Sequence, residues 1–126
     1  MNISEKAGIL KIYIGDSDKI QGRRLSEEIV FEARKAGIAG ATVFKGVMSF
    51  GASHAIHTMK IFALSSDMPV LIEIIDNTEK LDEFAKRVNE MLDLSQKGGL
   101  ITFQEIAVVR YEKGKKYKIG ASRWIH

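Results

Sequence analysis

Along this chain the spacing of apolar residues switches between two residues and about 3.6 in a fixed order, and that order leaves few folds open. Gly8 to Ile14 alternates, with Leu10, Ile12 and Ile14 on one face and Ile9, Lys11 and Tyr13 on the other, which predicts a first strand. After a polar link over 15–22, Arg23 to Ala36 places Leu25, Ile29, Ala33 and Ala36 on one helical face, and Gly37 supplies a left-handed stop. The β-prone Thr42, Val43, Phe44 and Val47 mark a second strand over Ala41 to Met48. Val70 to Ile75 predicts a buried third strand, and Asp76 with Glu79 three residues later has the form of a capping pair at a helix start. From Thr78 onward Leu81, Phe84, Ala85, Val88, Met91 and Leu92 share one side of a second helix, opposite Asp82, Glu83, Lys86, Arg87 and Glu90. Gly98 and Gly99 break this pattern, and Leu100 to Tyr111 reads as a long last strand.

The order β, α, β, β, α, β is the split βαβ arrangement, an α+β ferredoxin-like fold whose four-stranded antiparallel sheet carries both helices on one face. At 126 residues and 45% hydrophobic, the chain suits one domain spanning residues 1–126. Apolar residues of both parities along the strands (Ile9 and Ile12, Leu71 and Ile72, Val108 and Val109) predict that both sheet faces are covered. Two helices cover only one face, so a partner subunit is the expected cover for the other.

Function classes narrow by composition. The chain has no cysteine, which removes disulfide, thiolate-metal and cysteine-nucleophile chemistry and suits a cytoplasmic location. No apolar run approaches the ~20 residues that span a bilayer. The acids mostly fall on solvated helix surfaces, so no catalytic constellation emerges and an enzyme is not expected. Glu73, inside an apolar strand, is explained by pairing with a neighbouring lysine. His54 and His57 lack a third metal ligand, so no metal site is assigned. Val70 to Ile75 offers no aromatic on which a base could stack, which argues against nucleic-acid recognition. Two features remain. Ser49 to Pro69 is long and irregular, with at most a short strand over Lys60 to Leu64, and such stretches are commonly functional. From Arg110 to His126 six Lys/Arg face one acid, so this tail holds +5 of a net +3 and suits an anionic ligand.

Motifs sharpen this. Gly40-Ala41-Thr42-Val43, Phe44-Lys45-Gly46 followed by Phe50-Gly51, Pro69 to Ile74, and Lys97-Gly98-Gly99-Leu100-Ile101 with Arg110-Tyr111 resemble the PII signalling family almost from end to end. The Ser53 to Thr58 loop, with Leu64-Ser65 and Pro69, looks like a bacterial and archaeal branch of PII-like proteins without an assigned activity. The resemblance implies a homotrimer that binds an adenine nucleotide, ADP or ATP, in clefts between subunits. It further implies phosphate contacts from Lys97, Gly98 and Gly99, from Gly46 and Gly51, and from Arg110 or Lys113, with Thr42 near the base, while the place of His57 in the irregular segment suits hydrogen-bonding a ligand or ordering that loop. Glycine amides and clustered cations suit phosphate oxygens. Leu100 and Tyr111 stand where the family carries basic residues. The same resemblance implies a regulated protein partner, a membrane transporter among the candidates. The alternative is a CutA-like metal-binding trimer using His54 and His57.

Overall fold

A computed structural model describes residues 6–50, 57–58 and 68–114. In chain order its elements are β1 (Ala7–Gly15), the short pair β2 (Lys19–Ile20) and β3 (Arg23–Arg24), α1 (Leu25–Lys35), β4 (Gly40–Lys45), the short pair β5 (Met48–Ser49) and β6 (His57–Thr58), β7 (Pro69–Asn77), α2 (Thr78–Ser95) and β8 (Leu100–Ile106). Four strands form one antiparallel sheet in the order β4-β7-β1-β8. The predicted βαββαβ order is therefore present, with the two strand pairs added to it.

The alternation read from sequence decides which face is dry. Leu10, Ile12 and Ile14 of β1 and Val70, Ile72 and Ile74 of β7 pack with Leu25, Ile29 and Ala33 of α1 and Leu81, Phe84, Val88, Met91 and Leu92 of α2. Both helices thus bury their apolar stripes against the even-numbered strand residues.

Three local details differ from expectation. The polar link over 15–22 is not a plain loop, because Gln21 and Gly22 both hold positive φ (49° and 80°) and turn β2 directly into β3. A two-residue turn with both central φ positive fits the twist of a hairpin. Ile20 of that hairpin is buried in the core, and α1 consequently starts at Leu25. At the other end of α1, Gly37 does hold φ +73°, as its position predicts. Helix α2 begins at Thr78 as expected, but Asp76 does not cap it. Its fully buried carboxylate accepts the Ala39 N–H at 2.9 Å and the Asn77 N–H at 2.6 Å, and stands 3.8 Å from Lys80 Nζ. Lys80 Nζ also donates to the Gly37 carbonyl at 2.7 Å. Asp76 therefore ties the turn after α1 to the start of α2. Finally, α2 is stopped by Gln96 in the left-handed region (φ 57°), before the glycines that follow.

One ion pair joins the helices across their outer surface: Arg87 Nε donates to Glu32 Oε1 at 2.7 Å. This hydrogen bond is the main reason the Glu32 carboxyl sits below its ordinary value of 4.5. A carboxyl depressed by folding adds stability above its unfolded pKa and gives it up as pH falls through its folded pKa. With Arg87 half exposed, the pair is worth about 0.5–1 kcal/mol. The stability gap between the wild type and Glu32→Gln is therefore expected at pH 7 and should close as pH drops below 4.5, as read from urea titrations at a series of pH values. Among the described residues, no helix is long and apolar enough to cross a membrane.

Candidate functional site

One end of the sheet gathers the glycines. Helix α2 leads into a turn held by Ser95, whose hydroxyl donates to the Leu92 carbonyl at 2.8 Å and accepts the Lys97 N–H at 3.2 Å. Lys97, Gly98 and Gly99 follow, all exposed. The two glycines are not equivalent. Around Gly98 there is open space where a side chain would start, whereas a Cβ on Gly99 would lie 3.1 Å from Leu92 Cδ1 and 3.4 Å from Ile14 Cγ2. Gly99 thus lets the turn close onto the core, while Gly98 faces out.

At the same end, on the opposite edge, β4 finishes at Lys45, whose ammonium stands 3.5 Å from Asp16. Gly46 N–H donates to the Pro69 carbonyl at 2.7 Å, and Asp16 N–H donates to the Met68 carbonyl at 2.7 Å. A Cβ on Gly46 would fall 2.9 Å from Pro69 Cγ, so this stem of the irregular segment needs glycine for close approach. Beyond it β5 pairs with β6, Met48 opposite Thr58 and Ser49 opposite His57. For His57 only the backbone is described, and Gly51, His54 and the Lys60 to Leu64 strand lie outside the described residues.

Of the basic tail only Arg110 and Lys113 are described, and they are at the other end, while Lys115, Lys116, Lys118 and Arg123 lie outside the described residues. Strand β8 stops at Ile106, five residues short of the expected Tyr111. The chain then leaves the β8 edge and reaches the opposite edge, where the Tyr111 hydroxyl donates to the Ala39 carbonyl at 2.7 Å. Val109, expected in a strand, is instead 97% exposed on this crossing segment. Ala39 is gripped twice, its N–H by Asp76 and its C=O by Tyr111. Arg110 pairs with Glu112, and Lys113 is exposed two residues past Tyr111. Seven residues of β8 separate Gly99 from this segment, roughly 20 Å at strand spacing.

The sheet face away from the helices completes the geometry. Register places three rows across its four strands: Gly40, Ile75, Ile9 and Gln104; then Thr42, Glu73, Lys11 and Thr102; then Phe44, Leu71, Tyr13 and Leu100. Ile9 in the first row is buried, on the side of the sheet from which the crossing segment departs. The third row is apolar and open, with Phe44 at 46%, Tyr13 at 39% and Leu100 at 55% exposure. Thr42 lies in the polar middle row, beside Glu73 and away from both glycines and Arg110. Lys11 stands directly across from Glu73 in register, although the ion pair expected for Glu73 is not formed among the described residues. Sequence reasoning did not single out Lys11 and gave Asp76 a capping role instead of its real one, because their significance rests on strand register and on a contact 37 residues away in the chain.

Among the described residues no group of three metal-ligating side chains occurs. One open hollow of about 510 Å³ lies between the helices, lined by Glu32, Lys35, Lys80, Phe84 and Arg87 among others. Its charges are already engaged with one another or with backbone.

Comparison with known proteins places this geometry. The DUF190 family model, described as an uncharacterized ACR, matches residues 7–108. A UPF0166 protein of Methanocaldococcus jannaschii is 34% identical over 113 residues, which is 90% of this chain and 98% of that one. Among solved structures, CPII of Thiomonas intermedia, a nitrogen regulatory PII-like protein bound to ADP, AMP and bicarbonate, superposes with a TM-score of 0.64 at 16% identity, covering 82% of this chain and 89% of its own. The divalent ion tolerance protein CutA1 of Ehrlichia chaffeensis gives 0.55 at 11% identity, covering 89% and 88%. Identities this low speak to architecture alone. The chain belongs to the DUF190 family, and its fold is that of the PII-like proteins.

Proposed function

We propose that this protein is a PII-like regulatory protein of the cytoplasm, a homotrimer that acts by binding an adenine nucleotide rather than by catalysis. The ligand, ADP or ATP, sits in clefts between subunits. Lys97, Gly98 and Gly99 of one chain and Arg110 or Lys113 of its neighbour contact the phosphates, with Gly46 and Gly51 at the root of the segment after β4 and with Thr42 and His57 toward the rest of the ligand. Binding orders that segment, which then meets a regulated protein. The observation that carries this reading is the separation of the two clusters. The glycine turn and the basic segment lie at opposite ends of β8, too far apart to hold one phosphate chain, so they can share a ligand only when different copies supply them. The nucleotides bound to CPII, on the same architecture, support the choice of ligand class.

Thermal-shift titration tests it, since a ligand of the native state raises its melting temperature. ADP or ATP is expected to stabilise the wild type. Gly98→Asp should abolish that gain and leave the apo melting temperature unchanged, because it adds a carboxylate where there is open space. Gly99→Asp is the wrong probe. Its side chain would press on Leu92 and Ile14, so it should melt several degrees lower with or without nucleotide. No shift with any adenine nucleotide at millimolar concentration would sink the proposal, and stabilisation by divalent metal alone would favour a CutA-like metal-binding protein.

A further inference from the structure

Past Ile106 the chain enters no strand or helix through residue 114, and apart from the half-buried Val108 every residue from 107 to 114 is exposed. Neither buried apolar contacts nor a strand ladder fixes such a stretch in one place. Tyr111 gives it a fixed point, because its hydroxyl donates to the Ala39 carbonyl at 2.7 Å, 72 residues away in the chain. The acceptor is itself held firmly. Gly37 N–H donates to the Arg34 carbonyl at 3.1 Å, Ile38 N–H to the Ala33 carbonyl at 3.0 Å and Ala39 N–H to the buried Asp76 carboxylate at 2.9 Å. Three consecutive amides thus fasten the turn between α1 and β4 to which Tyr111 attaches. Arg110 and Lys113 lie one and two residues from Tyr111, and a trans peptide spans ~3.8 Å between Cα atoms, so the backbone of both is within about 8 Å of the attached residue. Arg110 also pairs with Glu112 across Tyr111, which braces the same three residues.

We infer that Tyr111 is the positioning residue of this basic segment: by fastening to Ala39 it sets where Arg110 and Lys113 meet an anionic ligand. A cation on a loose chain must be ordered when the ligand arrives and binds more weakly for that reason, whereas a cation already fastened loses less freedom. The dependence runs both ways. A ligand that prefers the fastened segment strengthens the hold of Tyr111 on Ala39 by the same factor that Tyr111 lends to the ligand. Ala39 is tied through its N–H to Asp76, just before α2, so that hold acts at the joint of α1, β4 and α2. This inference rests on the phosphate roles given above to Arg110 and Lys113 and adds the residue that places them.

Tyr111→Phe keeps the ring and removes the donor, and at 48% exposure the change leaves the core untouched. In hydrogen exchange of the protein without ligand, the amides of 107–113 should exchange faster in this variant, while Ala39, held by Asp76, and β1 keep their wild-type rates. General loosening would not give that pattern. Calorimetric titration with ADP should show about three- to tenfold weaker binding for Tyr111→Phe. Arg110→Gln combined with Lys113→Gln should weaken ADP binding by about tenfold or more in the wild-type background and by clearly less in the Tyr111→Phe background, because cations no longer held in place have less to lose. Wild-type exchange over 107–113 in Tyr111→Phe, an unchanged ADP affinity, or strictly additive losses would each overturn the inference. A wild type that binds no ADP overturns the ligand reading and the positioning role with it, and the exchange rates without ligand tell that failure apart from a Tyr111 that fastens nothing.

Discussion

Ile72→Ala is expected to lower the unfolding free energy by about 3–4 kcal/mol. Ile72 is fully buried on β7, between Ile12 of β1 and Val43 of β4, and its side chain is shared by both helices through the core. Removing three carbons there costs their transfer from water and leaves a cavity that two flanking strands hold open. Urea denaturation should report the loss as a lower midpoint with an unchanged slope. The neighbouring Leu71→Ala provides the internal control. Leu71 points to the opposite face, so its truncation should cost far less within the chain and act mainly on assembly. Comparable losses for the two would mean that the face away from the helices is as tightly packed as the core.

Asp76→Ala is expected to cost about 2–4 kcal/mol, although it removes no apolar contact. The carboxylate is wholly buried and accepts two backbone N–H groups, so its deletion leaves the Ala39 amide without its acceptor. It also leaves Lys80 with only the Gly37 carbonyl. The damage should be local as well as global: hydrogen exchange at Ala39 and in the first turn of α2 should accelerate more than in β1. Asp76→Asn keeps one acceptor oxygen and should recover part of the loss. If the alanine variant melts with the wild type, this junction is held by something other than Asp76.

These two residues also mark how far the sequence could be read. Ile72 was legible as a strand residue because the apolar run Val70 to Ile75 is a local signal, as are the alternation of β1, the β-prone residues of β4 and the helical spacing of both helices, whereas which of Leu71 and Ile72 faces the core was not. Asp76 was misread because its spacing to Glu79 has the form of a cap, while its real partner, Ala39, is brought near by folding. The β2–β3 hairpin was missed since Gln21-Gly22 is a weaker turn signature than Asn-Gly or Asp-Gly. The end of β8 at Ile106 was equally opaque. No glycine or proline interrupts Leu100 to Tyr111, and what stops the strand is the distant anchor of Tyr111 on Ala39. The candidate phosphate-binding residues were legible one by one from motif. Their separation along β8 was not, because it depends on where the strand stops and where the crossing segment goes.

The stem at Gly46 and Pro69 has a consequence for how this protein can change. The hydrogen bond from Gly46 to the Pro69 carbonyl holds the departing and returning chain together, and that from Asp16 to the Met68 carbonyl ties the returning chain to the end of β1, whatever lies between Gly46 and Met68. With the ends pinned by the sheet, lengthening the intervening segment adds only the entropy of a larger closed ring, about 0.6 kcal/mol for each doubling. The excursion is therefore a natural place for descendants to gain or lose residues, and for a reporter peptide to be grafted, while the scaffold beneath keeps its fold.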